Sequence, residues 1–323
     1  MKVLVLGSTG LLGSHLFKVL SRGDEMETYG TIRTKTSAKV FDSALRKQLL
    51  PIDDATDIKS LNALILKLKP QVLVNCLALN EIDLANRPVD YESFHLEGLQ
   101  NIPGMSKEAR EADASNIKFA QTMTRRIPIE YSNFYSRIPH EIAGICQASN
   151  ARYIHISTDG VFSGDRFNYD ETDDPDPTNL EGACKLQGEV IYGDALTIRA
   201  SFFGHTIHRN YGLVDWFLGQ EKKCFGYNKY IFSGLPAVIL STIIRDVIVP
   251  NQEMKGLYNI GAPAISKYAL LELIADVYQK FINVIKKDSI EVNRSLDSTK
   301  FFKESGYKLP SWREMIESMH SFK

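Results

Sequence analysis

The feature that most constrains the fold of this 323-residue chain is an apolar strand at its N-terminus that runs directly into a glycine-rich turn. Val3-Leu4-Val5-Leu6 has the unbroken aliphatic composition of a strand buried on both faces. Gly7-Ser8-Thr9-Gly10 interrupts it, and apolar residues then recur at helical spacing from Leu11 to Leu20. Strand, turn and helix in this order predict the first unit of a parallel sheet covered by helices.

The alternation of strands and helices continues to about residue 200. Further strands are predicted at Met26–Ile32, Gln71–Asn75, Arg152–Ser157 and Leu196–Arg199, with helices between them at Ile58–Leu68, Ile138–Gln147 and Leu180–Tyr192. After Ser201 the pattern loosens into helices at Gly212–Leu218, Leu235–Ile248, Lys267–Phe281 and Trp312–Met319. We therefore predict an α/β chain with a Rossmann-type doubly wound parallel sheet over 1–200. A smaller C-terminal α/β substrate domain is predicted over 201–323, with segments contributed from 160–180.

Residues 87–130 fit this alternation least well. They are polar, carry charges of both signs and contain Pro88, Pro103 and Pro128. A loop of this length without structure is uncommon inside a compact domain and is usually functional or mobile. We predict that it is an insertion in the sheet domain.

Charge and cysteine usage exclude several classes of protein. Lys and Arg number 38 against 39 Asp and Glu, a formal net charge of -1, whereas a nucleic-acid binder normally carries a basic excess. The sequence contains no run of 18 uncharged apolar residues, the length that a membrane-spanning helix needs. The four cysteines are far apart, without metal-ligand spacing. These observations predict a cytoplasmic protein that has no metal site and binds neither nucleic acid nor a membrane.

The glycine turn is the strongest candidate for a binding site. Its spacing is GxxGxxG, and glycine there permits a tight turn, close approach of the backbone to a diphosphate and close packing of helix on strand. The start of the helix offers N–H groups and the positive end of its dipole to phosphates. The predicted dinucleotide-binding residues are Gly7, Ser8, Thr9, Gly10, Leu11, Leu12 and Gly13.

The end of the second strand indicates which dinucleotide is bound. It reads Thr31-Ile32-Arg33-Thr34-Lys35, without the acidic residue that usually holds the ribose hydroxyls of NAD. Arg33, with Lys35 as a second cation, favours the 2′-phosphate of NADP(H). Asp53 and Asp54, after the next apolar stretch, are predicted to border the adenine.

With these features the chain resembles the extended short-chain dehydrogenases, specifically the dTDP-4-dehydrorhamnose reductase-like (RmlD-type) sugar-nucleotide proteins. The resemblance covers nearly the whole chain apart from Arg87 to Glu130. The segments that carry it are Val74–Ala78, HISTDGVFSG (His155–Gly164), KLQGE (Lys185–Glu189), Leu196–Gly204, SGLP (Ser233–Pro236), GLYNIG followed by ISKYALLELIA, RSLDSTKF and PSWREMI.

The resemblance implies an oxidoreductase that uses NADPH to reduce a 4-keto-6-deoxy sugar nucleotide in the synthesis of surface polysaccharide precursors. Its partner would be the sugar nucleotide, and a homodimer is left open. By resemblance, Thr158 would polarise the carbonyl and Lys185 would hold the nicotinamide ribose. Cys76, Leu77 and Ala78 would lie beside the nicotinamide. The predicted substrate-binding residues are Asp159, Gly160, Val161, Phe162 and Trp216, with packing as the alternative for Trp216.

The chain departs from the family at the catalytic tyrosine, which lies four residues before the lysine. Glu181 stands at that position, and no tyrosine of the chain has a lysine four residues later. The pKa of a free glutamic acid is about 4.3, and a neighbouring ammonium favours its ionised form. We therefore expect Glu181 to be a carboxylate, able to act as a base or as an ion-pair partner but not as a proton donor. Gly160, where the family usually has a larger residue, is predicted to enlarge the pocket.

Three interpretations follow from this departure. The chain is a reductase whose proton comes from another group, such as a water held by Thr158 and Lys185, or one of Tyr91, His95, Tyr131 and Tyr135. Alternatively it is an epimerase or oxidase with Glu181 as base. The third interpretation is a non-catalytic partner protein that binds the cofactor or nucleotide.

Overall fold

The computed structural model describes residues 1–79, 132–207 and 212–322. The predicted insertion at 87–130 therefore lies outside the described residues, as do Tyr91, His95 and Tyr131. The strands, in chain order, are β1 (Lys2–Leu6), β2 (Glu27–Ile32), β3 (Leu49–Pro51), β4 (Val72–Asn75), β5 (Arg152–Ser157), β6 (Leu196–Arg199), β7 (Phe202–Phe203), β8 (Lys223–Tyr227), β9 (Tyr230–Phe232), β10 (Leu235–Pro236), β11 (Gly256–Asn259), β12 (Ile265–Ser266), β13 (Asn283–Lys287) and β14 (Val292–Arg294).

The α-helices of the described residues are α1 (Leu11–Leu20), α2 (Ser43–Arg46), α3 (Ile58–Leu68), α4 (Ile138–Ala148), α5 (Leu180–Gln187), α6 (Leu213–Gly219), α7 (Ala237–Ile243), α8 (Lys267–Val277), α9 (Thr299–Ser305) and α10 (Trp312–Ser321). Two π-helical segments, Asn133–Arg137 and Ile244–Ile248, adjoin α4 and α7. None of these helices is long and apolar enough to span a bilayer.

Seven strands form the central sheet in the order β11-β6-β5-β4-β1-β2-β3, and every neighbouring pair is parallel. This is the doubly wound topology that the sequence predicts, and the prediction of fold class is confirmed. The outermost strand β11 comes from beyond residue 200, so the sheet draws its last strand from the segment assigned to the substrate domain.

Burial on both faces of the sheet explains the unbroken apolar run of β1. Val3 and Val5 are fully buried in a cluster that includes Leu12 and Leu16 of α1. Leu4 and Leu6 face the opposite side, where they are buried in a second cluster with residues of α3 and α4. Because successive side chains of a strand point to opposite faces, a strand covered on both sides has no position for a polar residue.

The carboxyl ends of the parallel strands meet at one edge of the sheet and bring the predicted site residues together. Gly7 follows β1, Arg33 follows β2, Cys76 follows β4 and Thr158 follows β5. Ligands of open α/β sheets bind at this edge, next to the point where the strand order reverses. Here that point lies between β1 and β4.

A three-stranded sheet, β12-β9-β14, lies in the C-terminal part of the chain. Phe232 of β9 pairs with Arg294 of the parallel strand β14 and with Ile265 of the antiparallel strand β12. The amide of Asn293 in β14 donates to the carbonyl of Gly164, which ties this small sheet to the segment that follows β5.

Three helices differ in extent from the sequence prediction, and one of them, expected over Lys267–Phe281, ends at Val277. The helix expected over Leu180–Tyr192 ends at Gln187, and Gly188 follows it. A Cβ at Gly188 would lie 1.9 Å from the carbonyl oxygen of Tyr135, so only glycine fits at this close backbone contact. The helix expected over Leu235–Ile248 begins only at Ala237, because Leu235 and Pro236 form strand β10 against β7.

Candidate active site

The β1–α1 turn is built so closely that glycine is required at two positions. Gly7 has a φ of +75°, and a Cβ there would lie 2.8 Å from the carbonyl oxygen of Cys76. A Cβ at Gly13 would lie 2.2 Å from the carbonyl oxygen of Gly7. The turn, the start of α1 and the end of β4 are therefore in direct backbone contact.

The start of α1 fits a phosphate-bearing ligand. Gly10 is its N-cap and provides no side-chain hydrogen bond, and its first turn contains no acidic residue. The hydroxyl of Ser8 is turned inward and donates to the carbonyl of Val5, while the Gly7 amide donates to Oγ1 of Thr31. These two bonds hold the turn on β1 and β2, and the first amides of α1 have no capping side chain.

The residues predicted for the adenosine end lie beyond β2 and β3. Arg33 is exposed immediately after β2, as a contact with a 2′-phosphate requires. Asp53 and Asp54 are exposed after β3, but Oδ1 of Asp54 accepts from the amide and hydroxyl of Thr56. Asp54 is thus committed to its own turn, and adenine contact by either aspartate stays a prediction.

Beyond β4, Cys76, Leu77 and Ala78 continue at the same edge of the sheet. The Leu77 amide donates to Oδ1 of Asn75, which fixes the path of the chain as it leaves the strand. Burial raises the pKa of the Cys76 thiol to about 12, so its side chain stays neutral and apolar. What Cys76 presents to the glycine turn is its backbone carbonyl.

Thr158 opens a short 3-10 turn, Asp159–Val161, directly after β5. Its Oγ1 accepts a hydrogen bond from the Gly160 amide at 3.1 Å and donates to Oδ1 of Asp159 at 3.3 Å. The second bond is long, so a substrate oxygen that accepts from Thr158 would displace only a weak interaction.

Lys185 and Glu181 form an ion pair on one face of α5. Nζ of Lys185 lies 2.9 Å from Oε1 of Glu181, at the i, i+4 spacing that places two helix side chains side by side. The lysine side chain is 19% exposed and the glutamate 54%. The ammonium that the resemblance assigns to the cofactor ribose is therefore held by the residue that replaces the family tyrosine.

Tyr135 supplies a phenol next to this ion pair. Its ring centroid lies 5.3 Å from Nζ of Lys185, and its hydroxyl oxygen accepts from the Leu79 amide at 2.9 Å. Burial is the main cause that raises the pKa of Tyr135 to about 12, and the nearby Glu181 adds to it. Of the four side chains named as alternative proton sources, Tyr135 alone falls within the described residues, and it lies beside Lys185.

The predicted substrate residues divide into two groups. A Cβ at Gly160 would lie 3.3 Å from Oγ1 of Thr158 and Gly160 itself is buried, so an enlarged pocket at this position stays a prediction. Val161 and Phe162 are fully buried, and Phe162 stacks on Tyr169 with ring centroids 4.2 Å apart. These two side chains belong to a packed cluster with Tyr169 and Leu296 and have no surface to offer a ligand. Trp216 lies on α6 with 44% of its surface exposed, and its contact with substrate stays a prediction.

Lys267 is a charged residue of this region that the sequence analysis did not single out. Its Nζ lies 3.6 Å from the ring centroid of Phe232, and burial lowers the pKa of Lys267 to about 8. The carboxyl group of Asp159 interacts electrostatically with Lys267, and burial raises the pKa of that carboxyl group. The sequence signal was a lysine at the start of an otherwise apolar helix, ISKYALLELIA, which by itself is equally typical of a solvated helix end.

The chain matches the family model of the RmlD substrate binding domain over residues 1–127 and 132–226. Among curated proteins it is 28% identical over 188 residues to methionine adenosyltransferase 2 subunit beta of Danio rerio. The matched region covers 58% of this chain and 42% of that protein. It is 26% identical over 208 residues to the probable low-salt glycan biosynthesis reductase Agl14 of Haloferax volcanii. That match covers 62% of this chain and 53% of the reductase. The chain thus spans about half the length of these two relatives.

A solved structure shows the same fold over nearly the full length. The dTDP-4-dehydrorhamnose reductase of Bacillus anthracis, in complex with NADP, superposes with a TM-score of 0.68 at 20% sequence identity. The superposition covers 99% of this chain and 98% of that one. At this level of identity the likeness establishes the architecture, and the chemistry has to be argued from the residues present.

Proposed function

Because the chain belongs to the family of the RmlD substrate binding domain, we propose that it is an NADPH-dependent oxidoreductase that reduces a 4-keto-6-deoxy sugar nucleotide. The observation that carries this proposal is the position of Thr158, Lys185 and Tyr135 around one edge of the sheet, next to the glycine turn. A hydroxyl can polarise a ketone and a phenol can supply the proton that its reduction needs, with an ammonium to orient the cofactor.

The proposed cofactor site is the edge from the glycine turn to Arg33. Residues 7–13 would hold the diphosphate, Arg33 the 2′-phosphate, and Lys185 the nicotinamide ribose. The absence of any capping side chain at the start of α1 supports a bound phosphate there. When bound, a reduced nicotinamide supplies the two electrons of the reduction.

Thr158 would polarise the carbonyl group of the substrate. Its hydroxyl is fixed by the Gly160 amide, which donates to Oγ1 and leaves the hydroxyl proton for an acceptor. In this structure that acceptor is Asp159 at 3.3 Å, and a ketone oxygen would take its place. A donor fixed before the substrate arrives stabilises the negative charge that develops on the oxygen.

Tyr135 would deliver the proton that the family tyrosine delivers elsewhere. A phenol that accepts a hydrogen bond from the Leu79 amide still carries its own proton, and the raised pKa keeps Tyr135 protonated at neutral pH. Glu181 cannot fill this role, because an exposed carboxylate in an ion pair has no proton to give. Glu181 instead holds Lys185 in place.

Substitution of Tyr135 tests this assignment. We expect the natural protein to consume NADPH with a dTDP-4-keto-6-deoxy sugar, and Tyr135→Phe to be slower by about 100-fold or more. Tyr192→Phe is the matched control, because the Tyr192 hydroxyl bonds to His140 away from the site. Equal rates for Tyr135→Phe and the natural protein would assign the proton to water held by Thr158 and Lys185.

A non-catalytic partner protein is the second candidate. Two observations favour it: the ion pair that occupies Lys185, and the relatives named as a subunit of methionine adenosyltransferase 2. This candidate requires tight NADPH binding without turnover, and Glu181→Tyr would leave that binding intact. An epimerase or oxidase with Glu181 as base requires that Glu181→Gln abolish activity, whereas the proposed reductase tolerates this change.

A further inference from the structure

A cavity of about 640 Å³ lies against the side of α1, beyond the glycine turn. Its walls come from one face of α1, from α6, from the end of α10 and from residues 205–207. This volume is in the range of about 300–1,000 Å³ that is typical of small-molecule sites. Neither residues 7–13 nor Thr158 or Lys185 line it, so it is separate from the proposed cofactor and substrate sites.

One wall of the cavity is a hydrogen-bonded group that needs nothing from a ligand. Oδ2 of Asp215 accepts from the amide and the hydroxyl of Thr206 at 2.9 and 2.6 Å, and Oδ1 lies 3.1 Å from Nδ1 of His205. The other ring nitrogen of His205 lies 2.8 Å from the hydroxyl of Tyr278. Because these groups bond to one another, the Asp215 carboxylate and the His205 ring are fixed in the wall.

His15, which lines the cavity, has an unused hydrogen-bond acceptor. The residue is only 6% exposed, and its ring stacks on that of Phe322 with centroids 5.0 Å apart. Nδ1 lies 2.8 Å from the carbonyl oxygen of Leu11, which can only accept, so Nδ1 carries the proton of the neutral ring and Nε2 carries none. Burial lowers the pKa of His15 to about 4, which keeps the ring neutral at neutral pH. Among the residues that the structure describes, none donates a hydrogen bond to Nε2.

Lys18 supplies an ammonium to the same cavity. It follows His15 on α1 and is half-buried, and in the described part of the chain it forms no hydrogen bond or ion pair. Its positive charge acts on His15, and the guanidinium of Arg22 adds a second one, 4.5 Å from the ring centroid of Phe322. Since Asp215 is already bonded within the wall, the unpaired ammonium favours an anionic group in the cavity.

The rest of the lining is largely apolar and includes one further ring. The ring of His320 borders the cavity and packs on Tyr278 with centroids 4.3 Å apart. An apolar wall covers the flat body of a ligand, while a few polar atoms fix its orientation. The apolar lining residues are Val40, Ile207, Leu218 and Phe322.

We propose that this cavity binds a small molecule in which a flat ring system with an N–H donor carries an anionic group. The ammonium of Lys18 would bind the anionic group, Nε2 of His15 would accept from the N–H, and the apolar lining would cover the ring. A nucleoside monophosphate and a carboxylated pyrimidine both have this chemistry. The proposal does not depend on the proposed function, because neither Thr158, Lys185 nor Tyr135 lines the cavity.

Calorimetric titrations of the full chain test this site, with NADP+ in excess so that the proposed cofactor site is filled. The probes are AMP, orotate, an N-methylated form of each that lacks its N–H donors, and inorganic phosphate. The variants are Lys18→Met, Lys18→Arg and His15→Phe. Lys67→Met is the matched control, because Lys67 is also the basic residue in the last turn of a helix, α3, which packs on the opposite face of the sheet.

We expect AMP, orotate or both to bind, and Lys18→Met to weaken that binding about tenfold or more, while Lys18→Arg retains most of it and Lys67→Met changes nothing. The natural protein should bind a probe more tightly than its N-methylated form, whereas His15→Phe should bind the two alike because it lacks Nε2. Binding of AMP alone would assign the anionic group to a phosphate, and binding of orotate alone to a carboxylate.

Thermal unfolding without ligand separates loss of binding from loss of the fold. Lys18→Met should melt at the same temperature as the natural protein, since Lys18 bonds to no described residue. A loss of affinity in this variant therefore reports the missing ammonium.

Four outcomes would overturn the site. Unchanged affinities in Lys18→Met would remove the role of the ammonium, and an equal loss in Lys67→Met would show a non-specific effect of charge. Binding of inorganic phosphate as tightly as the ring-bearing probes would show that the cavity holds an anion only. If no probe binds, the site fails while the proposed function stands, because NADPH consumption is measured separately.

Discussion

Nζ of Lys185 lies 2.9 Å from Oε1 of Glu181, the residue that stands where the resemblance places a tyrosine. In the family arrangement the same spacing on α5 places a phenol beside the ammonium. Here a carboxylate neutralises the ammonium, and the nearest phenol of the described residues is Tyr135, on a π-helical segment some 50 positions earlier in the chain. The proposed proton donor and the lysine thus come from different elements.

Close packing at Gly13 predicts that the cofactor turn does not tolerate a single added methyl group. In Gly13→Ala the new Cβ would lie 2.2 Å from the Gly7 carbonyl oxygen, so the turn must open and NADPH binding should be lost. Gly144→Ala is the control, because no atom lies within 4 Å of its Cβ position on the exposed face of α4. We expect that variant to gain about 0.5–1 kcal/mol in chemical denaturation. A stable, NADPH-binding Gly13→Ala protein would contradict the described turn.

The end of β2 predicts discrimination between the two nicotinamide dinucleotides. Arg33→Ala should weaken NADPH binding about tenfold or more and leave NADH binding nearly unchanged, because only NADPH carries the 2′-phosphate. Lys39→Ala, also exposed and in the turn that follows β2, is the control. Fluorescence titration with both cofactors measures the two affinities. An equal loss for NADH and NADPH would assign Arg33 a structural role instead.

The buried ion pair of Arg199 and Glu189 predicts that removal of one partner strongly lowers the free energy of unfolding. Nε and Nη2 of Arg199 each donate to a carboxylate oxygen of Glu189 at 2.8 Å, and both side chains are at most 6% exposed. Glu189→Gln would leave the guanidinium buried without its counter-ion, at a cost of about 3–5 kcal/mol in urea unfolding. Asp194→Asn, which breaks the exposed pair with Lys255, should leave the unfolding midpoint nearly unchanged.

Burial of His15 predicts that the folded protein loses stability in acid. Burial lowers the pKa of His15 to about 4, whereas in the unfolded chain it titrates near its ordinary value of 6.5. Between these values the unfolded state binds a proton that the folded state does not, so stability falls as the pH decreases from 6.5 towards 4. This contribution amounts to about 2 kcal/mol between about pH 7 and about pH 4.5.

His15→Asn should therefore lose less stability than the natural protein over this interval in urea unfolding. His320→Asn is the control, because His320 is exposed on α10. The same loss of stability in His15→Asn and in the natural protein would assign the acid sensitivity to other groups.

Periodicity alone predicted the sheet and most of its helices, because each central strand is buried on both faces and reads as a short aliphatic run. Helix ends were less predictable where a tertiary contact sets them. Gly188, which follows α5, packs so closely on the carbonyl of Tyr135 that no side chain fits, and a contact between segments so far apart leaves no local pattern.

The same reason separates the parts of the site that could be predicted from those that could not. Gly7 and Gly13 belong to a local motif that the sequence shows directly, and Thr158 and Lys185 were assigned through the family resemblance of their segments. The positions of Tyr135 beside Lys185 and of Lys267 on Phe232 depend on packing between distant segments. Lys267 in particular looks like a solvated helix end until the pairing of β9, β12 and β14 places it over a ring.

The most direct test of the account is NADPH consumption with a dTDP-4-keto-6-deoxy sugar, measured on the natural protein and on Glu181→Tyr side by side. The account predicts turnover by the natural protein, since Tyr135 supplies the proton and Thr158 polarises the carbonyl. It also predicts that Glu181→Tyr, which restores a phenol beside Lys185, is at least as fast. Activity in Glu181→Tyr alone would contradict it, and would show a scaffold that recognises the substrate but has lost this reaction.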